Sequence, residues 1–218
     1  MTAPDDPDDL AKTIRRITKA RAAILDAQDR APRVEFRVLA EDPEVLVARA
    51  RSTATAIMSQ GDMPMLCCVF SARHQQRIVL GNMPRYRTGK IKLASLLRLL
   101  VISAPIEAYF LISEAWVAQE TKPPDQLTEA DLPSNRPDRQ EAVILSAASK
   151  SFHHLKTFHT HRKGRAVTLT AADGGQDRFA TDNPVLENLF DPTTEGSRSI
   201  ENFLLERFDH NAKTKARS

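Results

Sequence analysis

An α+β fold built on a mainly antiparallel sheet is what this sequence predicts, and three observations predict it. The three longest helical patterns, residues 10–29, 43–59 and 90–102, all lie ahead of residue 106. Strand-like segments then follow one another from 106 to 171, the order of an antiparallel meander rather than of βαβ units. Residues 106–118 are apolar on both faces, with Ile106, Ala108, Phe110, Ile112 and Trp116 on one and Tyr109, Leu111, Ala115 and Val117 on the other. That pattern marks a central strand covered on both sides. A chain of 218 residues with 41% hydrophobic and 27% charged residues suits one domain with a sizeable core.

Taken in order, residues 1–9 read as a disordered acidic tail whose four Asp favour the N-terminal dipole of the following helix. The single domain is expected to span 10–209. Leu10, Ile14, Ile17, Ile24 and Leu25 give residues 10–29 an apolar stripe, opposed by Lys12, Arg15, Arg16 and Lys19. Residues 33–39 alternate Arg33, Glu35 and Arg37 with Val34, Phe36 and Val38, which predicts a half-buried strand. Asp42 as N-cap, Pro43 at the first helical position and Glu44 in the first turn start the helix to about Ser59. Met65–Phe70 and Arg77–Leu80 read as a hairpin, and a loop from Gly81 to Gly89 precedes the third helix, 90–102.

After the central strand, a polar loop over 120–138 is a flexible excursion. Strands are expected at 140–148, 151–162 and 166–171, and Trp116, Phe110 and Ile112 of the central strand should be largely buried with Val143 and Leu145 of its neighbour. Asn183-Pro184 starts a short helix to Phe190, a last one runs from Ser199 to Phe208, and 210–218 form a basic frayed tail. Cys67 and Cys68 are adjacent in a strand, so they point to opposite faces and favour neither a disulfide nor a shared metal. The longest apolar run, Leu93 to Phe110, is broken by Arg98, Pro105 and Glu107, which excludes a membrane helix. With an N-terminus unlike a signal peptide, a cytoplasmic location is expected.

Charge is segregated. Stretches 73–98 and 150–165 hold 12 of the 31 basic residues and not one Asp or Glu, so the net +3 is the sum of +12 there and −9 elsewhere. Such fields attract polyanions and acidic proteins. Residues 172–209 carry nine acidic residues against three Arg, so the basic stretches could also receive this chain's own C-terminal third or a second copy. Arg85-Tyr86-Arg87 interleaves guanidinium groups with an aromatic ring, and Lys90 and Lys92 sit at a helix start, where an anion would relieve their conflict with the dipole. The candidate partner-binding residues are Arg85, Tyr86, Arg87, Lys90, Lys92, Lys156, Arg162 and Lys163. Arg85, Arg87 and Lys90 are expected to share a continuous basic surface with Lys156, Arg162 and Lys163.

One resemblance rests on Ser113-Glu114-Ala115-Trp116, the loop ending Arg136-Pro137-Asp138-Arg139-Gln140-Glu141, and Ala142–Leu145. This region resembles uncharacterised bacterial and phage-borne proteins. It implies mobile-element biology and assigns no activity to any residue.

Catalytic signatures are sparse. His159-x-His161 places two imidazoles on one strand face, about 6.5–7 Å apart at Cα, and His153 shares their parity. They are the candidate zinc ligands of a metal-assisted hydrolase, although zinc needs a third ligand from elsewhere. Glu114 lies on the Phe110–Trp116 face, either as a carboxylate of raised pKa or paired with an Arg such as Arg136 or Arg139. No nucleophile elbow, P-loop, dinucleotide fingerprint or HExxH motif occurs, and seven glycines make a nucleotide cradle hard to build. The sequence therefore points to a non-enzymatic binding or assembly protein with an anionic partner. An acidic protein or a second copy is one such partner, and nucleic acid is the alternative.

Overall fold

A computed structural model describes residues 7–27, 36–71, 74–82, 87–118, 135–172 and 185–191. Six antiparallel strands form one sheet in the order β2-β1-β3-β4-β5-β6. They are β1 (Met65–Phe70), β2 (Gln75–Gly81), β3 (Ala108–Val117), β4 (Gln140–Ser149), β5 (His153–Lys163) and β6 (Ala166–Ala171). Helices α1 (Pro7–Ala27) and α4 (Arg87–Ser103) cover one face, and α2 (Arg37–Glu41) and α3 (Pro43–Met58) cover the other. The expected α+β class and the 106–171 meander are both present.

The layers follow from strand parity. Tyr109 and Leu111 enter the α1/α4 core, whereas Phe110 and Ile112 enter the α2/α3 core, so β3 is buried on both sides. Cys67 and Cys68 divide in the same way and remain free thiols. Burial raises the pKa of both thiols, that of Cys68 to about 11 against the opposing charge of Arg77 and Arg49, so both stay protonated near neutral pH. The Asp42 carboxylate accepts the N–H groups of Glu44 and Val45, as its N-cap role predicts. The β5–β6 turn is two residues long and opens on Gly164 at φ 62°, a left-handed conformation that costs glycine little.

Both sheet edges are guarded by arginine. Ser71 N–H bonds to His74 C=O, and counting the alternation from there turns the Val79 backbone outward. Arg16 donates to that Val79 carbonyl at 3.0 Å. On the opposite edge, the bond from Ala172 N–H to Thr157 C=O turns Val167 and Leu169 outward, and Arg51 donates to the Leu169 carbonyl. Guanidinium groups thus occupy acceptors that an incoming strand would use.

Several expectations change. Residues 37–39 are helical, not a strand: Phe36 and Leu39, three apart, both pack into the α2/α3 core, with the Phe36 ring 5.6 Å from Phe70. The first helix starts at Pro7, not Leu10. Residues 185–190 form turns instead of the helix expected up to Phe190. Phe110, Ile112, Val143 and Leu145 are buried, but Trp116 is 47% exposed. It keeps the parity of the buried face yet lies opposite Glu141, near the open end of the sheet, where Arg139 rather than a helix covers its ring at 4.6 Å. The 199–208 helix, the end tails and most of the 120–138 loop lie outside the described residues.

Candidate functional site

Sheet parity separates the two basic stretches. Lys90 and Lys92 belong to α4, on the α1/α4 side. Lys156 and Arg162 share parity with Phe158 and leave β5 on the α3 side, with the whole sheet between the groups. The expected continuous surface joining Lys90 to Lys156 and Arg162 is therefore not formed. Lys163 takes the other parity. Arg85 and Tyr86 lie outside the described residues, as does the side chain of Arg87.

Arg162 is occupied internally. Its guanidinium donates to Glu141 at 2.5 and 2.9 Å, to Glu114 at 3.4 Å and to the Met58 carbonyl at 3.2 Å, at the C-terminus of α3. A cation is favourable at that end of a helix. Glu114 also accepts the Met63 N–H at 3.1 Å. Burial raises the Glu114 pKa, with Glu141 adding to the rise, while the Met63 N–H and Arg162 oppose it. Its partner is thus Arg162 instead of Arg136, which pairs with Asp138 at 2.7 Å, or Arg139, which stacks on Trp116. Asp62, Glu114, Ala115, Trp116, Glu141 and Arg162 line an open cleft of about 470 Å³. Arg162 bridges two of its three carboxylates, Glu114 and Glu141, and the Met58 carbonyl, which makes it a structural clasp joining β3, β4, β5 and α3.

Apart from Lys150, which precedes β5, the remaining cations of the second stretch gather on one ribbon. Lys156, Lys163 and Arg165 are exposed, form no ion pair among the described residues, and belong to a β5–β6 hairpin that contains no acid. His159 and His161 share a face, as the spacing predicts, and His161 Nε2 lies 2.9 Å from Thr170 Oγ1. Among the described residues no group of three His, Cys, Asp or Glu is placed to hold a metal.

A second polar cluster was not foreseen. On the α1/α4 face, Tyr109 of β3 and His153 of β5 lie in one cross-strand row through Ala148, and Ser146, two residues along β4, is the diagonal neighbour of both. Ser146 Oγ lies 3.1 Å from His153 Nε2 and donates to the Leu186 carbonyl at 3.1 Å. Tyr109 Oη donates to the Glu187 carbonyl at 3.3 Å and accepts the Leu189 N–H at 2.8 Å. Arg98, only 5% exposed, donates through Nη2 to Glu187 Oε2 at 2.9 Å. Burial raises the Tyr109 pKa, so its hydroxyl stays protonated. Burial of its ring lowers the His153 pKa, with His154 acting the same way against the Leu186 carbonyl and Glu187. The sequence signal was present: Arg98 interrupts the apolar run of α4, and Ser146 that of β4, which is costly without a polar partner.

No protein-family model matches this chain, and neither a curated protein nor a solved structure shows significant similarity to it. No helix among the described residues is long and apolar enough to cross a membrane.

Proposed function

We propose that this chain is a non-enzymatic binding and assembly protein whose β5–β6 hairpin engages an anionic partner. The observation that carries this reading is the exposure of Lys156, Lys163 and Arg165 on an acid-free ribbon, beside an Arg162 already consumed by Glu114 and Glu141. Cations left without carboxylates at a sheet edge raise the local concentration of a negative partner and orient its approach. An acidic protein segment suits the ribbon better than nucleic acid. Its exposed uncharged positions include His153, His161, Thr168 and Thr170 but no Phe, Tyr or Trp on which bases would stack, since Phe158 is buried.

Reversing two charges tests the reading. Lys163→Glu with Arg165→Glu should weaken binding of polyglutamate about tenfold at low salt, whereas Arg15→Glu on α1 should change it less than about twofold. Equal effects at both places would refute the hairpin as the site. Tighter binding of a single-stranded oligonucleotide than of polyglutamate, with a salt slope that falls by about two in the double variant, would move the assignment to nucleic acid.

A further inference from the structure

Residues 185–191 touch the sheet in an unusual way. Among the described residues no backbone–backbone hydrogen bond joins them to a strand, and one such bond is internal to the segment, from Asp191 N–H to Asn188 C=O. Sheet side chains hold the strap's backbone instead. Tyr109 and Ser146 supply donors to two carbonyls, and Tyr109 accepts one N–H. Val185, Leu186 and Leu189 are at most 2% exposed, and the Phe190 ring stands 5.5 Å from Tyr109. Apolar anchors in a hydrophobic seat, with backbone held by side-chain hydroxyls, is how a protein grips a peptide ligand.

Arg98 completes the seat. It belongs to the acid-free 73–98 stretch, and its carboxylate partner is Glu187, 89 residues further on. The contact uses Nη2 alone, while the buried Nε finds no acceptor among the described residues. A guanidinium fork fits a carboxylate through two parallel bonds, so Glu187 leaves half of this donor pair unused. Glu187 itself is about one-third exposed, so the anionic end of the seat opens to solvent.

We propose that Arg98, Tyr109 and Ser146 form a peptide-binding site that Val185–Phe190 occupies in cis. Its occupant in trans is an acidic segment of a partner protein, with a glutamate or aspartate set between leucine-type anchors. This deepens the binding reading above by giving the anionic partner a second seat, on the face away from Lys156. Residues 172–184 tether the strap to β6. Because the strap belongs to the same chain, it competes intramolecularly and suppresses partner binding until it is displaced or weakened.

A labelled peptide of residues 183–191 tests this by fluorescence anisotropy against the full chain. The chain carrying Leu186→Ala and Leu189→Ala should bind the peptide at least tenfold more tightly than the wild-type chain. A peptide carrying Glu187→Gln should bind that variant at least fivefold more weakly. If circular dichroism shows the double variant unfolded, the chain with Glu187→Gln decides, and it should bind the unaltered peptide at least threefold more tightly than wild type. Equal affinity for wild-type and folded strap variants overturns the inference, as does indifference to the peptide's carboxylate. Binding of polyglutamate that depends on Lys163 and Arg165 is read separately. A chain that keeps it while failing the peptide test loses only the strap site.

Discussion

Replacing Tyr109 by Phe isolates the hydroxyl on which the 185–190 strap depends. The ring is fully buried, and the substitution removes one oxygen without opening a cavity that neighbours must fill. Two strap groups lose their partner at once: the Leu189 N–H, bonded at 2.8 Å, and the Glu187 carbonyl, at 3.3 Å. Leu189 is 1% exposed, so its N–H has little access to water in compensation. An unsatisfied buried donor costs about 1–3 kcal/mol, and the longer, more solvated carbonyl contact adds at most about 1 kcal/mol. The expected loss is therefore about 2–3 kcal/mol, or a Tm lower by roughly 5–10 °C for a chain of this size. Thermal unfolding followed by circular dichroism measures the total. Amide exchange of Leu189 shows whether the loss is local, because a strap that lifts by itself exchanges before the sheet opens. A Tm within about 1 °C of wild type, with Leu189 still protected, would refute the assignment of the strap's hold to this hydroxyl.

Acidification should loosen the same contact. His153 takes up its proton at a lower pH folded than its ordinary value of 6.5, so below about 6.5 the unfolded chain binds more protons and stability falls with falling pH. The groups facing it are Ser146, the Leu186 carbonyl, His154 and Glu187, and His153→Gln should flatten the slope between pH 6.5 and 5.5 in urea titrations. Glu114, with its raised pKa, pulls the other way at lower pH, so the variant difference and not the raw curve is the test. At the β6 edge, Arg51→Ala should free the Leu169 carbonyl and remove the guanidinium over the Phe158 ring, at 5.6 Å. Concentration-dependent self-association in sedimentation is the expected result; an unchanged monomer mass would show that the edge is protected by something else.

Legibility in the sequence followed how local each cause was. The spine at 106–118, the meander to Ala171 and the capped start of α3 could be read because periodicity and capping are set within a few residues. Parity also placed Cys67, Cys68, His159 and His161 correctly by face. Trp116 was misjudged because alternation names the face but not where the covering layer stops, and α3 ends at Met58. Phe36-Arg37-Val38 alternates like a strand. However, its short helix ends at Asp42 and packs Phe36 on Phe70, a contact distant in sequence.

The basic stretches show the same limit in electrostatic form. Charge density along a chain counts residues, whereas a field depends on which face each side chain leaves and which carboxylates it meets. Arg98 and Arg162 both come from acid-free stretches, yet each ends beside glutamate: Glu187 is 89 residues from Arg98, and Glu114 and Glu141 stand 48 and 21 residues from Arg162. Long-range topology thus turned two of the cations into internal clasps and left Lys156, Lys163 and Arg165 outward. The two clasps differ in completeness. Arg162 spends Nε, Nη1 and Nη2 on four acceptors, while the buried Arg98 keeps Nε empty behind a single carboxylate. A saturated guanidinium has nothing further to offer a ligand; an unsaturated buried one does, and that asymmetry places the exchangeable carboxylate at Glu187 instead of at Glu114 or Glu141.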